Sequence, residues 1–211
     1  MLKLTRAVLV ILLFFATVVH SQTRDNGGRT PESVVDRFCR LDQEGALLSD
    51  DGIRRIQPNL MWLPTPKWLN LYVVRGSRIL DSKLNGSHDA EVTVEYDRLG
   101  YIKNGKFEPA RATRRSTYQL QLTDHEWQNE NGEPVLKETE PRWRLRRQTQ
   151  PHLSVAVAIR YLKQLQTDSA DEHERAELQQ QIDALEAAER IAAVTPAPPP
   201  VATTASNQPI R

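Results

Sequence analysis

The spacing of apolar residues predicts two helices at the start of the folded region. Thr30 is a good N-cap and Pro31 is tolerated at the first helical position, so a helix is expected from residue 31. Its apolar stripe consists of Val34, Val35, Phe38 and Leu41. Gly45 marks its end. Ser49 predicts the cap of a second, short helix that Pro58 ends.

From Leu71 to Arg147 the apolar period changes from that of a helix to that of a strand. Residues 91–96, 117–122 and 142–146 alternate between apolar and polar side chains, and the stretch 71–80 is rich in β-branched and aliphatic residues. Asn-Gly dipeptides at Asn85, Asn104 and Asn131 lie in the breaks, as expected of turns. The pattern predicts an antiparallel meander of at least four strands with one face buried.

Two further helices are expected after the strands. Ser154 starts one of them, and the capping-box pattern from Ser169 to Glu172 starts another that runs to about Ala193. In the second helix, Leu178, Ile182 and Leu185 are spaced as a stripe. Acidic side chains outnumber basic ones in residues 167–211, and residues 194–211 are rich in Pro, Ala and Thr, which predicts a disordered tail.

The N-terminus has the pattern of a secretory signal. Lys3 and Arg6 precede an uncharged run of 13 residues, shorter than the roughly 20 that a membrane-spanning helix needs. An exported, periplasmic or secreted protein is therefore expected, with an uncleaved anchor helix as the alternative. The predicted organisation is a signal peptide (1–21), a flexible leader (22–30), an α+β domain (31–166), an acidic amphipathic helix (167–193) and a disordered tail (194–211).

Composition excludes several classes of protein. The chain has 28 Lys and Arg against 27 Asp and Glu, a net charge of +1, which disfavours a uniformly basic nucleic-acid binder. One cysteine excludes a disulfide framework, and the five histidines lack metal-ligand spacing. No phosphate-binding loop motif is present either. Because both kinds of motif are absent from the sequence, no metal or cofactor is expected. Cys39 borders the apolar stripe of the first helix, which predicts a buried free thiol.

Basic residues line the last predicted strand. Arg142, Arg144 and Arg146 alternate with Trp143 and Leu145, and Arg147 follows directly. Two interpretations are open for these arginines. They form a solvated strand face that keeps an edge soluble, or they bind an anionic partner such as a lipid headgroup, a glycan or the acidic helix of the same chain.

Helices followed by alternating strands and a late Trp-Arg-Leu strand resemble the nuclear transport factor two-like superfamily, which includes ketosteroid isomerases and SnoaL-type proteins. The segments that carry the resemblance are Pro31–Phe38, Ala90–Tyr96, Thr117–Leu122 and Pro141–Leu145. The resemblance covers about residues 31–147. It implies a cone, in which a bent sheet wraps a pocket and the first helices close it. The predicted fold class is α+β, with N-terminal helices packed on a curved antiparallel sheet and C-terminal helices following.

Six side chains are the candidates to line such a pocket: Asp36, Trp62, Trp68, Tyr96, Tyr118 and Trp143. Residues 58–68 hold three prolines and two tryptophans, which predicts an ordered loop that either lines the pocket mouth or seals the core. Isomerase chemistry needs a carboxylate base and an oxyanion hole. Asp36 and a tyrosine are the nearest candidates, whereas Glu95 and Asp97 alternate to the opposite strand face. The set is incomplete, so no catalytic residue is assigned.

The expected function is that of an exported, non-enzymatic binding domain. Its ligand is either a small apolar molecule in the cone or a protein that contacts the sheet. One alternative is a ketosteroid-isomerase- or SnoaL-like isomerase or lyase. Another is a structural role in which the C-terminal helix pairs with a second subunit in a homodimer. Neither nucleic acid nor, after signal cleavage, a membrane is expected as a partner.

Overall fold

A computed structural model describes residues 30–62, 68–124, 127–128, 134–136, 141–195 and 199 of the chain. The predicted signal peptide, nearly all of the leader, the turn at Asn131 and nearly all of the tail lie outside these residues.

The two N-terminal helices form where their caps predict them. Helix α1 spans Pro31–Gln43, and Thr30 and Ser33 exchange backbone-to-side-chain hydrogen bonds of 3.2 and 3.3 Å at its start. Gly45 follows with a φ of 86°, a left-handed conformation that favours glycine. Helix α2 spans Asp50–Ile56, capped by the Ser49 side chain. Short 3-10 turns at Ala46–Leu48 and Gln57–Asn59 flank α2.

The sheet contains the predicted meander and one additional strand. The strands are β1 (Leu71–Asn85), β2 (Asp89–Lys103), β3 (Lys106–Thr123), β4 (Trp127–Gln128), β5 (Pro134–Leu136), β6 (Arg142–Leu145) and β7 (His152–Ser154). Five of them form one sheet in the order β6-β3-β2-β1-β7, and β4 pairs with β5. All neighbours in the larger sheet are antiparallel except β7, which runs parallel to β1 over three residues. The meander was predicted and β7 was not.

Register shifts interrupt the long strands and curl the sheet. They occur in β1 near Val74 and between Ile79 and Asp81, and in the β2–β3 pairing between Arg98 and Gly100. Such bulges bend strands and increase their twist. The result is a curled half-barrel against which helices pack. The predicted α+β class, with N-terminal helices on a curved sheet and C-terminal helices after it, is confirmed.

Two clusters of buried residues lie on opposite faces of this sheet. Val73 and Val74 are consecutive in β1 and point to opposite faces, and Val74 belongs to the first cluster whereas Val73 belongs to the second. The first cluster joins the sheet to α1 and α2, and includes Val35, Phe38, Ile56, Val92, Tyr96, Tyr118, Trp143 and Leu145. The second joins the sheet to the C-terminal helices, and includes Leu71, Leu99, Ile102, Phe107, Leu153, Leu162, Ile182 and Leu185.

The C-terminal helices form a hairpin on the sheet. Helix α3 spans Val155–Asp168 and is capped by the Ser154 side chain, as predicted. Helix α4 spans Glu172–Val194, but its N-cap is Asp171 rather than Ser169. The reason is that the Ser169 amide already donates to the Leu165 carbonyl and ends α3. The far end of α4 is fixed by Arg75 and Arg111, which donate to the Ala192 carbonyl at 2.9 and 3.2 Å.

The predicted basic face of β6 is corrected at one position. Arg142 and Arg146 are exposed, but Arg144 is fully buried. Its Nη1 donates to the Pro58 carbonyl at 2.5 Å. The segment after α2 lies beside β6, where the Met61 amide donates to the Leu145 carbonyl and Leu60 bridges Leu145. The predicted ladder is therefore interrupted by a buried, hydrogen-bonded arginine.

Among the described residues, no helix combines the length and the apolar character needed to cross a membrane.

Docking of α4 on the sheet generates a prediction about stability. Ile182 is 1% exposed and Ile191, on the same helix, is 62% exposed. We expect Ile182→Ala to lower the free energy of unfolding by about 2–5 kcal/mol, since it leaves a cavity. Ile191→Ala, the matched control, should change it by less than about 0.5 kcal/mol. Urea unfolding measures both. Equal effects of the two substitutions would show that α4 does not pack as described.

Candidate functional site

Three hydrogen-bonding side chains meet in the interior between α1 and the sheet. The Cys39 Sγ of α1 lies 3.1 Å from the Tyr96 hydroxyl of β2, and that hydroxyl lies 2.5 Å from the Tyr118 hydroxyl of β3. All three residues are at most 3% exposed. We call Cys39, Tyr96 and Tyr118 the tyrosine–cysteine cluster. It satisfies buried polar groups within an otherwise apolar core.

Asp42 and His152 extend this cluster. The His152 ring stacks on the Tyr96 ring, with 4.1 Å between centroids and 9° between planes. The Asp42 carboxylate accepts the His152 backbone amide at 2.9 Å and lies 3.4 Å from its Nδ1. The Asp42–His152 pair is not apparent from the sequence, because 110 residues separate the partners and β7 has no alternating pattern. The sequence indicates only the neighbours of this pair, through the position of Cys39 beside the apolar stripe and the inward position of Tyr96.

Burial keeps the cluster in its neutral forms. Desolvation raises the pKa of the Cys39 thiol to about 12. The same cause raises the pKa values of Tyr96 and Tyr118 well above the ordinary tyrosine range. Desolvation also raises the pKa of Asp42, and hydrogen bonding to His152 opposes this shift. At neutral pH Cys39 is therefore a thiol, and nucleophilic chemistry that requires a thiolate is not available to it.

The six predicted pocket residues occupy three kinds of position. Tyr96, Tyr118 and Trp143 are buried in the first cluster. Trp62 and Trp68 are partly buried against that cluster, and Trp68 also contacts the second cluster. The Trp68 indole donates to the Leu47 carbonyl at 3.1 Å. Asp36 is exposed on α1. The structure thus brings the two tyrosines together and leaves Asp36 at the surface.

The cavities on the surface of the described part of the molecule include three of more than 300 Å³. A cavity of about 510 Å³ lies between the β2–β3 turn and the α3–α4 hairpin. One of about 450 Å³ lies on the sheet, and one of about 370 Å³ lies between α1 and β1 and includes Asp36. None of these three cavities is lined by Tyr96, Tyr118 or Trp143.

The 450 Å³ cavity adjoins an ion-pair network on the outer face of the sheet, the face opposite α1. Glu95 accepts from Arg78 at 2.6 and 2.9 Å and from Arg115 at 3.2 Å. The hydrogen bond from Arg78 lowers the pKa of Glu95. Arg75 pairs with Asp97 at 3.3 Å beside them. The arrangement confirms that Glu95 points away from Tyr96, as alternation predicts. We call Arg78, Glu95 and Arg115 the outer-face triad.

Within the described residues, no group of three His, Cys, Asp or Glu side chains is placed to hold a metal ion. Comparison of the chain with protein-family models, with curated proteins and with solved structures found no match.

The raised pKa of Cys39 leads to a prediction about its reactivity. We expect a thiol-specific disulfide reagent at pH 8 to leave native Cys39 unmodified and to modify it fully in denaturant. A free cysteine has a pKa of about 8.5, so the unfolded chain supplies thiolate at this pH whereas the folded chain does not. The absorbance of the released reagent group follows the reaction. Rapid modification of the native protein at the rate of the unfolded chain would contradict the described burial.

Proposed function

We propose that this chain is an exported, non-enzymatic binding domain that contacts a protein partner through the outer face of β1, β2 and β3. We further propose that the domain belongs to the nuclear transport factor two-like superfamily, on the four segments that carry the resemblance and on the curled sheet with helices packed against it. One observation carries the functional proposal. The interior below α1 is filled by mutually hydrogen-bonded side chains, whereas the outer-face triad is presented to solvent beside a cavity.

Packing of the interior argues against a small ligand in the cone. Pockets for such ligands typically measure about 300–1,000 Å³. Tyr96 and Tyr118 are 1% and 2% exposed, and their hydroxyls are bonded to each other. The isomerase alternative would also require a carboxylate beside these hydroxyls, and Asp36 is at the surface. Both alternatives would need the core to reopen, so the surface is the better-supported site.

Packing of α4 also argues against the assembly alternative. Leu178, Ile182 and Leu185 are the stripe on which pairing with a second subunit was predicted to depend. They are at most 6% exposed, because α3 and the sheet of the same chain cover them. A second subunit could not use this stripe without displacing the helix.

The outer-face triad is suited to protein recognition. The side chains of Arg78 and Arg115 are 72% and 52% exposed, while that of Glu95 between them is 10% exposed. Glu95 therefore restrains two guanidinium groups whose remaining donors point to solvent. Groups held in place before binding lose less conformational freedom when a partner arrives. Carboxylates and carbonyls on the partner would accept from these donors.

Site-specific photo-crosslinking tests this proposal. A photoreactive phenylalanine replaces Thr117, which is exposed on the outer face near Arg115. The control carries the same residue at Lys163, which is exposed on α3. Crosslinked products of the two proteins are compared in the exported fraction of expressing cells. We expect a discrete crosslinked protein from position 117 only, reduced at least fivefold by Arg115→Glu. Products of equal yield from both positions, or a product that Arg115→Glu does not reduce, would contradict a partner at this face.

A further inference from the structure

Two arginines lie side by side on the face of the sheet that packs against α1, which we call the inner face. They lie beyond the tyrosine–cysteine cluster. Arg114 of β3 is directly opposite Tyr96 in the strand register, and Arg98 follows Tyr96 by two residues in β2. Side chains at these positions share the face of Tyr96. Both arginines are partly buried. They lie on the opposite face from the outer-face triad, so a site formed by them is independent of the proposed partner surface.

Neither arginine has a compensating acid within the described residues. Other arginines of the same strands are satisfied: Arg75 pairs with Asp97, Arg78 and Arg115 pair with Glu95, and Arg111 donates to the Ala192 and Thr195 carbonyls. No described carboxylate lies within 4 Å of the guanidinium of Arg98 or Arg114, and the Nε of each is buried without an acceptor.

The surroundings of this pair concentrate positive charge. The Arg98 Cζ lies 5.0 Å from the centroid of the Tyr72 ring, so a ring face supports one side of the guanidinium. Burial lowers the pKa of Arg98, and the charge of Arg114 lowers it further. Two partly buried like charges destabilise the folded protein unless an anion is bound between them. Arrangements of this kind are more common at functional sites than elsewhere.

We propose that Arg98 and Arg114 form a binding site for a phosphate group. Each guanidinium presents donors in a fork that matches phosphate oxygens. Two positive charges suit a group that carries more than one negative charge at neutral pH, as a phosphomonoester does at about −1.5 to −2. A monoanionic carboxylate would leave one of the two charges uncompensated. The phosphate is either the free ion or the phosphomonoester headgroup of a lipid such as phosphatidic acid, since both offer the same oxygens and more than one negative charge.

The test measures binding on the full chain and on three variants. Inorganic phosphate is titrated at constant ionic strength and pH, and the Nε–Hε signals of the arginines are followed by NMR. Vesicles of phosphatidylcholine with one fifth phosphatidic acid provide the second arm, read by co-sedimentation. Arg98→Gln and Arg114→Gln remove the site, and Arg55→Gln is the control, an exposed arginine of α2 that has an acidic partner in Glu44 at 3.2 Å.

We expect saturable binding in at least one arm, weakened at least tenfold by Arg98→Gln and by Arg114→Gln and unchanged in Arg55→Gln. Binding of inorganic phosphate would identify the free ion as the ligand. Binding to the vesicles without binding of inorganic phosphate would identify the lipid headgroup. In phosphate-free, low-salt buffer, Arg114→Gln should leave the melting temperature unchanged or raise it, because it removes repulsion with Arg98. Absence of binding in both arms, or binding that the two variants do not weaken, would overturn the proposal.

Discussion

The tyrosine–cysteine cluster constrains the rest of this structure. Two tyrosine hydroxyls and a thiol lie in an apolar core, where each needs a partner because water does not reach them. Those partners come from α1, β2 and β3, so the helix can dock in only one position along the sheet. His152, stacked on Tyr96 and bonded to Asp42, extends the same constraint to β7 and hence to the start of α3.

Because hydrogen-bonded side chains fill the core below α1, a binding site is better placed on the surface of the domain. The first cluster is filled by its own hydrogen-bonded side chains, and the buried Arg144 donates to the segment after α2 at the Pro58 carbonyl. The second core is closed by α3 and α4. The two sheet faces differ in charge balance: Glu95 compensates Arg78 and Arg115 on the outer face, whereas Arg98 and Arg114 lack such an acid within the described residues on the inner face. The outer-face triad, which contains both signs of charge, is suited to a protein partner that carries both signs of charge. The Arg98–Arg114 pair, which contains only positive charge, is suited to an anion.

Local sequence patterns predicted the features that depend only on neighbouring residues, such as helix caps and the alternation of strand residues. Thr30, Ser49 and Ser154 cap helices where their sequence predicts, and strict alternation placed Tyr96 and Tyr118 inward. Features that depend on distant segments were missed. Alternation indicates that Arg144 and Trp143 point to opposite sheet faces, but not that Arg144 is buried and donates to the Pro58 carbonyl. Similarly, β7 is three residues long, and the Asp42–His152 contact requires α1 and β7 to meet, which no local pattern encodes. Asp36 lies next to the apolar stripe, yet its own position on the helix faces solvent.

A double-mutant cycle on Tyr96→Phe and Tyr118→Phe tests the central claim, that these hydroxyls form one cooperative unit in the core below α1. Tyr96→Phe removes the partner of the Tyr118 hydroxyl, and Tyr118→Phe leaves the Tyr96 hydroxyl with only the weaker Cys39 thiol. Each single substitution should therefore cost about 1–3 kcal/mol of unfolding free energy. The double variant removes both hydroxyls, so its cost should fall short of the sum by at least about 0.5 kcal/mol. Chemical denaturation of the four proteins measures this coupling. Additive costs within about 0.3 kcal/mol would show that the hydroxyls act independently and would contradict the cooperative unit.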